Sequence, residues 1–203
     1  MTLATRSHER RNALLLATVA LGVVGFAAAL FPFTQTLFPT SSIDPSRAKT
    51  IAIDISDLRT SGQITAKWGH KPIKIIWRSA LEVSQLDGLS KDTYFPHETP
   101  STFPGIQPVY RSLRPEVFVF VSLSTYLGCS IDVQRAGHAL PGFGRKLEYG
   151  VLFDPCHQST YDLAGRSIRA TESNGWVGFL EVPNLLIPPH HFASDSELVI
   201  GEP

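Results

Sequence analysis

The alternation of apolar and polar positions changes character once along this chain. From Ala13 to Phe33 it reads ALLLATVALGVVGFAAALFPF, with no charged residue. A helix rises about 1.5 Å per residue, so roughly 20 such residues cross the ~30 Å hydrocarbon core of a bilayer. A cleavable secretory signal would have a shorter apolar core, roughly 7–15 residues, ending at a small-residue site. AAAL (Ala27 to Leu30) offers such a site, but the run is too long for a signal core, and the pattern predicts an uncleaved anchor over 13–33. Arg6, Arg10 and Arg11 precede it and few cations closely follow. The positive-inside rule then puts 1–12 in the cytoplasm and everything after the anchor outside it. In a Gram-negative bacterium this means a single-pass inner-membrane protein with a periplasmic head.

After the anchor the pattern breaks, then alternates. Pro32, Pro39 and Pro45, with Ser and Thr between them, are expected to stop any continuous helix and to leave residues 34–48 as a linker. Lys49 to Leu58 alternates apolar and polar residues, as a half-buried strand does, and so do GQITAKW and KPIKIIWRS, with Gly69 to Lys71 as a hairpin turn. Glu116 to Ser124 (EVFVFVSLS) is mostly apolar and reads as a central strand. YGVLFD, SIRATES, WVGFLEV, LLIPPHHF and ELVIGE read as shorter strands. Short strands at this spacing predict an all-β sandwich or open barrel over 49–203. The polar, Pro-rich stretch from Leu81 to Glu116 reads as a short helix followed by a long surface insertion.

Composition adds bounds. The chain has 203 residues, 18 cationic and 18 anionic, hence formal net charge zero. A polyanion binder usually carries a basic surplus, so no nucleic-acid partner is expected. The paired Arg10 and Arg11 also suit a twin-arginine export signal, although Ala13 stands where a bulky residue is usual.

The candidate chemistry lies in two loops, LSTYLGCS (Leu123 to Ser130) and FDPCHQSTYDLAG (Phe153 to Gly165). Each has one cysteine, turn residues and potential metal ligands. These loops, with IDISDL, GQITAKWGHKPIKIIWRS, YRSLRPEVFVFV and the closing NLLIPPHHFASDSELVIGE, resemble the Rieske iron–sulfur subunit of bacterial ubiquinol–cytochrome c reductase almost end to end. The resemblance implies a Rieske-like β head on a single N-terminal transmembrane helix. In that family the loops read C-T-H-L-G-C and C-P-C-H-G-S. The first cysteine and the histidine of each loop hold a 2Fe–2S cluster, and the second cysteines form a disulfide.

Transferred onto this chain, the pattern leaves most ligands missing. Ser124 stands at the first ligand cysteine, Tyr126 at the first histidine and Asp154 at the second ligand cysteine; only His157 matches. Gln158 replaces a glycine, while Ser159 and Tyr161, which in the family hydrogen-bond the cluster and its ligands, are present. Such clusters need soft thiolates. The degenerate positions Ser124, Tyr126, Asp154 and His157 are therefore expected to bind no cofactor, the 2Fe–2S cluster to be lost, and no metal or catalytic residue to remain. A mononuclear metal on Asp154, His157 and Tyr126 is the competing reading. The family's Gly-Pro-Ala-Pro cover is also missing, since Arg169 to Pro189 has no such segment. By the same resemblance Cys129 and Cys156 are expected to be bridged, closing a loop worth about 3–4 kcal/mol in the chain-entropy model. Two free buried thiols are the alternative.

The other candidates are weaker. His190 and His191, adjacent on a strand, should face opposite ways. His70 and His97 read as solvated, Gly137 to Lys146 as a turn, and Trp68, Trp77 and Trp176 as core or membrane-interface residues. Three functions compete. One is a clusterless accessory subunit of a respiratory cytochrome bc complex or supercomplex, touching cytochrome b, cytochrome c1-type subunits, membrane lipid and either an intact Rieske subunit or a terminal oxidase. The second is an electron carrier with unusual ligands, and the third an assembly or regulatory factor. On the first reading the chain is not itself catalytic, though it belongs to a quinol–cytochrome c oxidoreductase.

Overall fold

The structure, a computed structural model, describes residues 3–37, 50–88, 104–139, 146–168 and 182–201. The expected linker from residue 38 onward, residues 89–103 of the insertion, the tip of the Gly137–Lys146 turn, most of SIRATES and WVGFLEV, His97 and Trp176 lie outside the described residues. The chain divides into two compact units, residues 1–47 and 48–203.

The first unit is a helix, α1 (Leu3–Leu37). Its apolar stretch Arg10–Thr34, 25 residues, is long and apolar enough to cross a membrane. Pro32 was expected to end the helix, yet it lies inside it. One proline removes one N–H and leaves the rest of the ladder intact. Just after it, Thr34 Oγ1 donates to the Phe31 carbonyl at 2.8 Å.

Among its described residues the second unit holds three small antiparallel sheets. In the first, β9 (Glu197–Ile200) lies between β1 (Ile51–Asp54) and β8 (His190–Phe192). In the second, β3 (Lys71–Trp77) lies between β2 (Gln63–Trp68) and β4 (Val117–Val121), with Trp68 opposite Lys71 across the expected hairpin turn. In the third, β6 (Val151–Phe153) lies between β5 (Asp132–Gln134) and β7 (Thr160–Asp162). Two short helices, α2 (Leu58–Ser61) and α3 (Ala80–Gly88), flank β2 and β3 in sequence. The expected short helix at the start of the insertion is α3.

The run EVFVFVSLS was expected to be a central strand. Instead β4 is an outer strand of its sheet, and β3 is central. Its apolar character has another cause. Phe118 and Phe120 belong to one buried cluster, with Leu152, Tyr161 and Leu185, while Val117, Val119 and Val121 belong to another, with Ile73, Ile75 and Leu198. Both faces of β4 are therefore core. Its last residue is capped from the side, since the Val121 N–H donates to the Leu186 carbonyl at 2.9 Å.

LLIPPHHF is a strand only from His190, because Pro188 and Pro189 have no N–H to give a ladder. His190 is buried and His191 exposed, as alternation requires. Two buried arginines tie loops to this core. Arg78 donates to the Tyr110 carbonyl at 2.9 Å and to Ser112 Oγ at 2.6 Å. Arg111 donates to the carbonyls of Ala164 at 2.7 Å and Leu185 at 2.8 Å.

Candidate functional site

Two connections carry the candidate residues. The first joins β4 to β5 and is pinched at its base by a bridge between Leu123 and Ser130. Within it the Ser124 N–H donates to the Cys129 carbonyl at 2.7 Å, and Ser124 Oγ accepts the Tyr126 N–H at 3.2 Å. The chain reverses through left-handed backbone at Leu127 (φ 59°) and Gly128 (φ 74°). Leu127 is consequently thrust outward and is 78% exposed, beside the 40% exposed Tyr126.

The second connection joins β6 to β7. The Asp154 N–H donates to the Ser159 carbonyl at 2.9 Å, and the Gln158 N–H to the Asp154 carbonyl at 2.8 Å. Gln158 is itself left-handed, with φ 59°. A glycine would take that conformation without strain, whereas a residue with a Cβ pays roughly 1–2 kcal/mol.

The two loops meet. Cys129 and Cys156 are joined by a disulfide, with Cα atoms 6.4 Å apart. Asp154, at the end of β6, is wholly buried. Its Oδ1 accepts the N–H of Cys156 at 2.9 Å and of His157 at 3.3 Å, and its Oδ2 lies 3.2 Å from His157 Nδ1. The Tyr126 ring meets the His157 ring edge-on, centroids 4.9 Å apart. Tyr126 and His157, from different loops, are thus in direct contact.

Tyr161, on β7, supports this arrangement from the core. Its hydroxyl is 3.4 Å from Ser124 Oγ and 3.1 Å from Thr125 Oγ1, and Thr125 Oγ1 donates onward to the Pro183 carbonyl at 2.6 Å. Burial raises the Tyr161 pKa, so the phenol stays protonated and can donate. The neighbouring Ser159 Oγ is buried with no hydrogen-bond partner among the described residues.

All six expected positions, Ser124, Tyr126, Cys129, Asp154, Cys156 and His157, therefore come together at one end of the head. His70, His190 and His191 take no part. Sequence reasoning missed Thr125 as the link to Pro183, and it missed an open groove of about 780 Å³ beside α3 lined by Arg59, Trp77 and Glu116. Neither has a motif. Among the described residues, the three-member group able to bring metal-ligating atoms within 4.8 Å of one another is Cys129, Asp154 and Cys156.

An apolar N-terminal helix of membrane-span type and a β head with two disulfide-linked loops define a Rieske-type architecture. Residues 1–39 match the family described as the ubiquinol–cytochrome c reductase Fe–S subunit twin-arginine signal. The ubiquinol–cytochrome c reductase iron–sulfur subunit of Allochromatium vinosum is 32% identical over 202 residues, covering 95% of this chain and 88% of that one. The subunit of the same name from Bradyrhizobium diazoefficiens is 29% identical, covering 98% of this chain and 99% of its own. A chain of a solved hyperthermophilic respiratory Complex III aligns with TM-score 0.39 at 20% identity, over 90% of this chain and 97% of that one. The chain belongs to the family of ubiquinol–cytochrome c reductase iron–sulfur subunits.

Proposed function

We propose that this chain is a clusterless member of that family, an accessory subunit anchored beside a cytochrome bc complex and retained for its binding surfaces. One observation carries the reading: the loop residues already use one another as partners. A 2Fe–2S cluster needs thiolates. The chain's two cysteines are both in the disulfide, and no other cysteine exists. Ser124, Tyr126 and Asp154 occupy the remaining expected ligand positions, and the Asp154 carboxylate is engaged by two backbone amides and His157. These residues do not fit the cluster, and no electron-transfer step is assigned to them.

The rest follows from the anchor and the tip. Residues 13–33 cross the inner membrane with 1–12 in the cytoplasm, the linker from residue 34, whose first residues to Leu37 continue α1, serves as a tether, and 49–203 form the periplasmic head. The exposed pair Tyr126 and Leu127 presents apolar surface at the end of the head, which suits docking on a protein neighbour. Membership of this family makes cytochrome b and a cytochrome c1-type subunit the first partners to test, then an intact Rieske subunit or a terminal oxidase.

The test is chemical. Purified full-length chain should contain no acid-labile sulfide and give no reduced Rieske electron paramagnetic resonance signal. It should also co-purify with the bc complex from detergent-solubilised membranes. Stoichiometric iron and sulfide would overturn the clusterless reading, and free migration away from the complex would overturn the accessory role.

A further inference from the structure

We propose that reduction of the Cys129–Cys156 bond opens a site for a thiophilic divalent cation of the zinc class, held by both thiolates and the Asp154 carboxylate. The proposal rests on the clusterless reading in one respect, that Asp154 is not already an iron ligand. The sulfurs and the carboxylate lie within 4.8 Å of one another. While bridged, the sulfurs are neutral and poor ligands. As thiolates they are the preferred ligands of zinc, which takes tetrahedral S, N and O donors at about 2.0–2.3 Å. With Cα atoms 6.4 Å apart, the two side chains can converge on one ion as readily as on each other.

The third ligand is prepared. A carboxylate has about four lone-pair sites. Asp154 Oδ1 is fixed by two backbone amides, and Oδ2 faces His157 Nδ1 at 3.2 Å. That leaves lone pairs on the carboxylate able to bind a cation, with His157 acting as a positioning residue of the kind that orients metal-binding side chains. The fourth position is left to water. Two thiolates beside a buried carboxylate would repel one another strongly, so a divalent ion stabilises the reduced form much more than the bridged one.

The reductant is a dithiol of the thiol–disulfide exchange class. Cys156 is exposed and Cys129 partly so, which makes Cys156 the sulfur open to attack. A thiolate of the dithiol attacks Cys156 Sγ, forming a mixed disulfide and expelling Cys129 as thiolate. The second thiol then displaces Cys156 as thiolate, and the reductant leaves as a cyclic disulfide. Two electrons pass to the chain, and the reductant's two protons pass to solvent as the cation binds the thiolates.

The full-length chain in detergent, reduced anaerobically with a phosphine, is titrated with cobalt(II) chloride. The expected result is a thiolate-to-cobalt charge-transfer band with intense tetrahedral d–d bands, saturating at about one ion per chain and displaced by zinc. Unreduced protein should give neither. Cys129→Ser should abolish the bands, and Asp154→Asn and His157→Gln should each weaken binding about tenfold or more. Absence of the bands after reduction overturns the proposal. So does binding unaffected by Asp154→Asn, which would place the ion on unfolded thiols, or loss of near-ultraviolet dichroism on reduction that zinc does not restore. Acid-labile sulfide in the unreduced protein would count against the clusterless reading and this one together. Lack of both sulfide and cobalt bands would overturn this one alone.

Discussion

Replacing Asp154 separates a structural brace from an idle relic of a ligand. The side chain is wholly buried. Burying a carboxylate is costly, and removing one that is poorly compensated can be neutral or even stabilising. The geometry argues against that outcome here. The bond from the Cys156 N–H is 2.9 Å, and the two contacts to His157 are 3.3 Å and 3.2 Å. A hydrogen bond to a charged group contributes about 1.5–3 kcal/mol. The short bond therefore counts for about 2 kcal/mol, and each longer, partly solvated one for about 0.5 kcal/mol. Asp154→Ala should then destabilise the head by about 3 kcal/mol, and Asp154→Asn, which keeps an Oδ1 acceptor, by about 1 kcal/mol. The assay is urea unfolding of the full chain in detergent, followed by tryptophan fluorescence. Trp68, Trp77 and Trp176 all lie beyond the anchor, so the signal reports on the head. If Ala costs less than about 1 kcal/mol, or Asn costs as much as Ala, the carboxylate is not acting through these bonds.

Two further outcomes are expected. Arg78 is buried, which lowers its pKa to about 10, so it remains a cation at neutral pH, held by carbonyls and Ser112; Arg78→Met should cost about 2–4 kcal/mol in the same unfolding assay, and Arg78→Lys should not restore it, since an ammonium lacks the planar fork. Burial lowers the pKa of His190, whose Nδ1 is 2.8 Å from the Pro188 carbonyl; the unfolded chain then binds the proton first, so stability is full above about pH 6.5 and falls as pH drops below it. His190→Gln should flatten that decline in melting temperature, and an unchanged profile would show that other groups cause it.

The parts legible in the sequence were those with a strong period. An uncharged run gave the anchor, and β2, whose exposure alternates along the strand, gave the hairpin with β3. The short strands β5 and β7 were not legible. Each has three residues, too few to display a period of two, and each is defined by pairing with β6 rather than by its own composition. β4 misled for the opposite reason, because a strand between two cores looks central whether or not it has neighbours on both edges. At the site, the family resemblance located each position. It could not indicate that Asp154 would turn back onto the amides of its own loop, or that Tyr126 would rest against His157. Those contacts depend on how the loops close.

The closure of those loops has a consequence for supply. Among the described residues the ties belong to the chain itself: a bond between two of its sulfurs, a carboxylate and a phenol. When a protein's fold is completed by an inserted metal, a shortage of that metal leaves a population of unfinished chains open to proteolysis. On the clusterless reading proposed above, this head has no such dependence. If that reading holds, its abundance during iron starvation should track translation and thiol oxidation, while any cluster-bearing relative in the same membrane becomes scarcer. Stoichiometry between the two would then shift with nutrition, without any change in either gene's expression.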